Sequence, residues 1–220
     1  MRRFVQDLSD RAELAVIVGF ALIYYVAASL YVLVSGIREI DMTIARVARA
    51  TAMELLILAV VAAILRARGW TTERLGLRFS WGAALAGIPL FVIFLLIYWI
   101  TATCVLLVFP AARTVWAFRI HPEAPIEWML VLFIVNSLFE ELIVTAYVTE
   151  SLREHGAALV ISASTLLRFS YHLYQGPLAS LSILPLGLLF ATLYWQRRTL
   201  WPLMVAHTIF NLVSYALTPR

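Results

Sequence analysis

Seven runs of mostly apolar residues, each close to the length that crosses a lipid bilayer, dominate this chain of 220 residues. About 30 Å of hydrocarbon needs about 20 such residues in helical form, and inside lipid every backbone polar group must be satisfied within the segment. The runs extend approximately from Leu14 to Ser35, Val47 to Leu65, Trp81 to Phe109, Ile126 to Thr149, Ala157 to Tyr174, Ala179 to Trp195 and Leu200 to Leu217. With 63% hydrophobic and 14% charged residues, the composition excludes an ordinary soluble domain. The expected fold is all-α: a polytopic transmembrane helix bundle of seven to eight spans, forming one membrane domain over residues 1–220. The eighth crossing is left open by a break near Pro89 in the third run and by the stretch from Arg38 to Arg49, which reads as a partly interfacial helix.

The 17 basic residues are all arginine and lie mostly between the runs, not on one basic face, so no nucleic-acid partner is expected. Basic loops orient membrane proteins. With seven spans and a cytoplasmic N-terminus, the inside loops carry ten arginines and the outside loops six, with Arg38, Arg46 and Arg49 on the outer side. The start of the chain, Met1-Arg2-Arg3 followed by Asp7, Asp10, Arg11 and Glu13, opens onto a run too long for a signal peptide and without its small-residue cleavage pattern. It is expected to be a retained span, with the N-terminus cytoplasmic. Cys104 is the single cysteine, so neither an internal disulfide nor a thiolate metal site is available.

Five polar side chains, Glu140, Glu141, His172, His207 and Asn211, fall inside the apolar runs of the last third of the chain. A charged group at bilayer depth costs roughly 2.5 to 3.5 kcal/mol, so such groups usually face a protein-lined cavity and serve function. Neighbours on a helix are separated by about 100°, so only one of Glu140 and Glu141 can point squarely into a given cavity. The other must pair, stay protonated or meet a second polar group. His207 and Asn211 are one turn apart on one helical face, and Arg168 and His172 share the same spacing. Gly176 and Pro177 then break the helix just beyond His172.

A carboxylate, two imidazoles and a carboxamide in a wet membrane cavity suit hydrolysis. The carboxylate takes a proton from water, an imidazole orients that water or serves the leaving group, and neutral donors hold an oxyanion. Glu140, His172 and His207 could equally ligate a divalent metal such as zinc with an open position for water. Spacing alone does not separate the two.

These residues resemble the CPBP intramembrane proteases, the CAAX prenyl protease and bacteriocin-processing or Abi family. The resemblance rests on Glu140-Glu141, on His172 within the run Leu166-Leu167-Arg168-Phe169-Ser170-Tyr171-His172, and on His207 with Asn211 after Leu200-Trp201-Pro202. It is close over residues 126–217, with a weaker echo in Leu75-Gly76-Leu77-Arg78. The resemblance implies a glutamate-dependent intramembrane endopeptidase acting on a membrane-embedded or prenylated CAAX-type peptide. Glu140 would activate water, His172 would orient it, His207 and Asn211 would stabilise the oxyanion, and Glu141 would support the site. It implies that no cofactor is required, with a divalent metal second. It also implies a peptide or lipidated protein substrate entering from the bilayer, membrane lipid as surroundings, and a prokaryotic inner membrane.

Two departures from the family pattern stand out. The usual Glu-Glu-x-x-x-Arg, often followed by glycine, has Thr145 and Ala146 here, and the aromatic usually found four residues before the first histidine is Arg168. Arg168 is therefore expected as a supporting residue that reaches from the adjacent helix to Glu141 or Glu140. An interfacial arginine with its head in water is the equal alternative.

The remaining polar residues take plainer readings. Glu54, about two turns into its run, reads as a helix contact or a satisfied interfacial carboxylate, and His121 and His155 as solvated loop residues. The tryptophans, including Trp70, Trp81, Trp116, Trp128 and Trp201, read as an interfacial belt. Two other functions fit the same residues: a non-catalytic relative that binds a membrane partner or gives bacteriocin immunity, and a proton-coupled transporter. The absence of an internal repeat weighs against the transporter.

Overall fold

The computed structural model describes residues 8–112 and 118–217. Arg2, Arg3, Asp7 and Trp116 lie outside the described residues. The elements run α1 (Asp10–Ser35), β1 (Glu39–Met42), α2 (Ile44–Ala67), α3 (Trp81–Leu85), α4 (Gly87–Val108), β2 (Arg119–Pro122) and α5 (Ile126–Glu140). The last of these continues as a π-helical segment, Glu141–Tyr147, and a closing turn, Val148–Ser151, before α6 (Ala157–Ser170), α7 (Pro177–Arg197) and α8 (Trp201–Ala216).

The architecture is an all-α bundle, with five helical stretches long and apolar enough to cross a membrane: Asp10–Ser35, Ile44–Ala67, Trp81–Val108, Ile126–Ser151 and Pro177–Arg197. The expected count of seven spans is thereby corrected. The 14 residues of α6 and the 16 of α8 reach only about 21 and 24 Å at 1.5 Å per residue. Apolar composition continues past the last helical residue of α6 at Ser170, so hydropathy overestimates its length. The stretch from Arg38 to Arg49 is not an interfacial helix either. β1 pairs in parallel with β2, Glu39 opposite Arg119 through Met42 opposite Pro122, and Thr43 then caps α2 by accepting the Arg46 N–H. In the third run the break falls at Ala86, because Pro89 has no N–H to give the Leu85 carbonyl one turn back.

Burial sorts the spans. In Ile126–Ser151, 61% of the apolar window is buried, against 11% in Trp81–Val108, so the first is the central helix and the second is largely lipid-facing. Outward side chains such as Val34, Leu107 and Val108 would be a liability in water, whereas hydrocarbon solvates them. Inside, Ile17, Val61, Phe94, Ile143, Phe190 and Leu203 form a common core around that central helix.

The short Leu75–Arg78 motif clasps the loop before α8. Leu200 N–H donates to the Gly76 carbonyl, and Trp201 Nε1–H donates to the Leu77 carbonyl. Gly76 has φ 68°, and a Cβ there would lie 2.5 Å from the Arg198 carbonyl oxygen. Gly69 has φ 80° and open space around it. Gly69→Ala should therefore lose only the left-handed backbone preference, about 1–2 kcal/mol. Gly76→Ala should lose that and about 1–3 kcal/mol more from overpacking, with a correspondingly larger fall in Tm in detergent.

Candidate active site

The central helix delivers the two adjacent carboxylates at the junction where α5 passes into its π-helical segment. Such segments interrupt the regular ladder and recur at functional sites. Glu140 lines a cavity of about 650 Å³, while Glu141, with no exposed surface, lies behind it. His207 and Asn211 come from α8, one turn apart, and both line the same cavity. His172 follows the end of α6, held in the short turn that Gly176 and Pro177 terminate, and lines the cavity too. Of the five residues singled out in the sequence, four thus border one space, and the fifth is bonded to one of them.

Arg168, in the last turn of α6, is the hub of this arrangement. Its Nη1–H donates to Glu140 Oε2 at 2.9 Å. Its Nη2 lies 2.9 Å from both Glu141 oxygens and 3.0 Å from the Thr145 hydroxyl. That hydroxyl in turn donates to Glu141 Oε2 at 2.7 Å. The residue is 5% exposed, so its guanidinium lies among the carboxylates and not at the headgroups. A buried guanidinium and two carboxylates are each expensive to desolvate, and they are tolerated together because nearly every charged atom has a partner.

The imidazoles are oriented by the same network. His172 Nδ1 lies 2.9 Å from the Arg168 carbonyl, which can only accept, so Nδ1 carries the hydrogen and Nε2 keeps a lone pair. His207 Nδ1 donates to Glu141 Oε1 at 2.7 Å, the carboxylate–imidazole pairing that fixes ring orientation. Tyr171 O–H donates to Glu140 Oε2 at 2.7 Å. Glu140 Oε1, by contrast, has only a long 3.3 Å contact from Asn136 Nδ2, and can accept from a solvent molecule.

Lining residues that escaped the reading of the sequence include Asn136, Tyr171 and Tyr25. Asn136 lies one turn before Glu140, a spacing visible in the sequence. It donates to Glu54 Oε1 at 3.0 Å and accepts from Asn211 Nδ2 at 3.4 Å. Glu54 makes the helix contact expected of it, through Asn136, and in addition is 3% exposed and lines the cavity. His121 is not in a loop: it lies in β2, 3.4 Å from Glu39. His155 is in a short turn beside Glu154. Trp70 and Trp201 are held by hydrogen bonds to Glu13 and Leu77, while Trp81 and Trp128 are exposed as an interfacial belt requires.

Glu140 Oε1, His172 Nε2 and His207 Nε2 carry no short hydrogen bond, whereas the other acceptor atoms of the set are engaged. Glu140 Oε2 already accepts from Arg168 and Tyr171, and Glu141 is saturated by Arg168, Thr145 and His207. Among the described residues no three His, Cys, Asp or Glu side chains are grouped as metal ligands.

The cavity has a direction. Loops 66–80, 152–156 and 198–200 form one end of the bundle, with the start of α1. The β1–β2 ribbon, residues 171–176 and the end of α8 form the other. Met42, Ile120, Gln175 and Leu217 line the cavity from that second end. Leu95 and Trp99, both on the lipid-facing α4, border it as well, and Trp99 is 60% exposed. The space thus touches both an aqueous face and the bilayer.

An all-α membrane bundle with a carboxylate–imidazole cavity at its centre defines a class of intramembrane protein. Residues 122–213, which hold every residue of that constellation, match the family model for Rce1-like type II CAAX prenyl endopeptidases. The match covers less than half of the chain, and over those residues the chain is similar to that family. Its bounds agree within four residues with the segment 126–217 that the motifs mark out. Comparisons with curated proteins and with solved structures matched nothing.

Proposed function

We propose that the protein is a glutamate-dependent intramembrane endopeptidase that hydrolyses a peptide bond in a membrane-embedded or lipidated peptide. The observation that carries this reading is Glu140. It is a carboxylate held by Arg168 and Tyr171 on one oxygen, with its second oxygen turned to a cavity that His172, His207 and Asn211 also line.

In this reading, water sits between Glu140 Oε1 and the lone pair of His172 Nε2. Glu140 takes the proton as the oxygen attacks the scissile carbonyl. The tetrahedral oxyanion is met by His207 and Asn211. Glu141, on His207 Nδ1, supports the imidazolium form in which Nε2–H donates to that oxyanion. Glu140 then returns its proton to the departing amine. No metal takes part, and chelators are expected to leave the rate unchanged.

The test is a reconstituted assay with farnesylated CAAX peptides and double-glycine leader peptides, comparing the native chain with Glu140→Gln. Product mass identifies the reaction and the cut site. Cleavage undiminished in Glu140→Gln, or abolished by chelator and restored by Zn²⁺, would overturn the mechanism. A membrane-partner or immunity phenotype surviving Glu140→Gln would instead mark a binding protein.

We further assign the N-terminus to the cytoplasm. Among the described residues, the end bearing loops 66–80, 152–156 and 198–200 carries eight arginines, against four at the cavity end, Arg168 excluded. The cavity mouth then faces away from the cytoplasm. With Cys104→Ser as background, Gln175→Cys should react with an impermeant maleimide in intact cells, and Thr199→Cys only after permeabilisation. The reverse pattern would invert the assignment.

A further inference from the structure

The hydrolytic reading leaves one buried acid without a task. Glu54 lies in the middle of α2, is 3% exposed and lines the cavity. Its Oε1 accepts from Asn136, while its Oε2 forms no hydrogen bond of good geometry and has only the neighbouring Tyr25 hydroxyl, itself otherwise unsatisfied, within interacting distance. No cation is paired with it among the described residues. The cation that lines this cavity, Arg168, is committed to Glu140, Glu141 and Thr145. A carboxylate at this depth, one oxygen satisfied and the other beside a single hydroxyl with no cation paired to it, is costly unless something arrives to meet its charge.

We propose that Glu54 is a substrate-recognition residue, and that it receives a cationic group, a basic side chain or an amino group, of the peptide bound beside Glu140. This rests on the peptidase reading and deepens it by naming a feature of the substrate. Asn136 ties the two sites together, since its amide nitrogen contacts Glu54 Oε1 at 3.0 Å and Glu140 Oε1 at 3.3 Å. A cation held by Glu54 therefore lies within a few residues of the scissile bond.

A purely structural role, in which Glu54 only orients Asn136, predicts something different. Glutamine at position 54 keeps an oxygen for the Asn136 donor but carries no charge. The experiment uses the full chain in detergent or liposomes and matched peptides carrying lysine or norleucine at successive positions around the cut site. Native protein should favour lysine at one position by tenfold or more in kcat/KM, mostly through KM. Glu54→Gln should abolish that ratio and Glu54→Asp should retain part of it. A ratio unchanged in Glu54→Gln, or no lysine preference in native protein, would overturn the proposal.

Binding of the same fluorescent peptides to Glu140→Gln, with and without Glu54→Gln, separates the two failures. A lysine preference lost only when Glu54 is changed supports recognition even if no peptide is cleaved. Cleavage without such a preference leaves the peptidase reading standing and removes this one.

Discussion

Glu140→Gln is expected to lower kcat by roughly 10²- to 10⁴-fold, the range a positioned general base contributes. KM should change little, because the bound peptide does not depend on the proton that Glu140 takes. The substitution is close to isosteric. A glutamine oxygen can still accept from Arg168 and from Tyr171, which now hold Glu140 Oε2. Its amide nitrogen would face Asn136 Nδ2, donor against donor, where the carboxylate oxygen now accepts at 3.3 Å. A fall of a few degrees in Tm is therefore expected alongside the loss of rate, and the two are separated by measuring both on one detergent preparation. His172→Ala should fall in the same direction without the loss of stability, because the hydrogen bond its side chain makes is to the Arg168 carbonyl, and its backbone bonds are kept. A Glu140→Gln protein within threefold of native kcat would show that another group activates the water.

How much of this site could be read in advance depended on how costly each residue is in lipid. Glu140, Glu141, His172, His207 and Asn211 stand out because ionisable or strongly polar groups in apolar runs need a reason. Asn136 carries no charge and Tyr171 reads as one more interfacial aromatic, so neither announces itself, although both contact Glu140. Glu54 was visible but isolated in its run. Only the packing of α2 against α5 shows that it faces the same space.

The helices themselves followed from hydropathy, but their ends did not. The last helical residue of α6 is set by the turn that presents His172, a local backbone event with no hydropathy signature. The β1–β2 pairing joins loops about eighty residues apart through backbone bonds alone. Parallel pairing of two four-residue segments leaves almost nothing in the side-chain pattern to detect.

The second large effect is expected at Arg168. Removing one partner of a buried ion pair typically costs about 3–5 kcal/mol, and Arg168→Leu strands two carboxylates at once. Thermal unfolding in detergent should therefore show a loss at or above the upper end of that range, with activity lost as Glu140 moves. Position 145 offers the decisive control. The family pattern has arginine there, whereas this chain has Thr145, fully buried and 3.0 Å from Arg168 Nη2. Thr145→Arg alone should destabilise, because it forces a second guanidinium into a filled space beside Arg168. In the Arg168→Leu background that space is vacated and the carboxylates lack a cation, so the same substitution should restore most of the lost stability and part of the activity. The double-mutant cycle should give a coupling energy in the restoring direction that exceeds the destabilisation caused by Thr145→Arg alone. If Arg168→Leu kept native stability and activity while Glu141→Gln did not, or if the two substitutions simply added, Arg168 would not be standing in for the missing motif arginine.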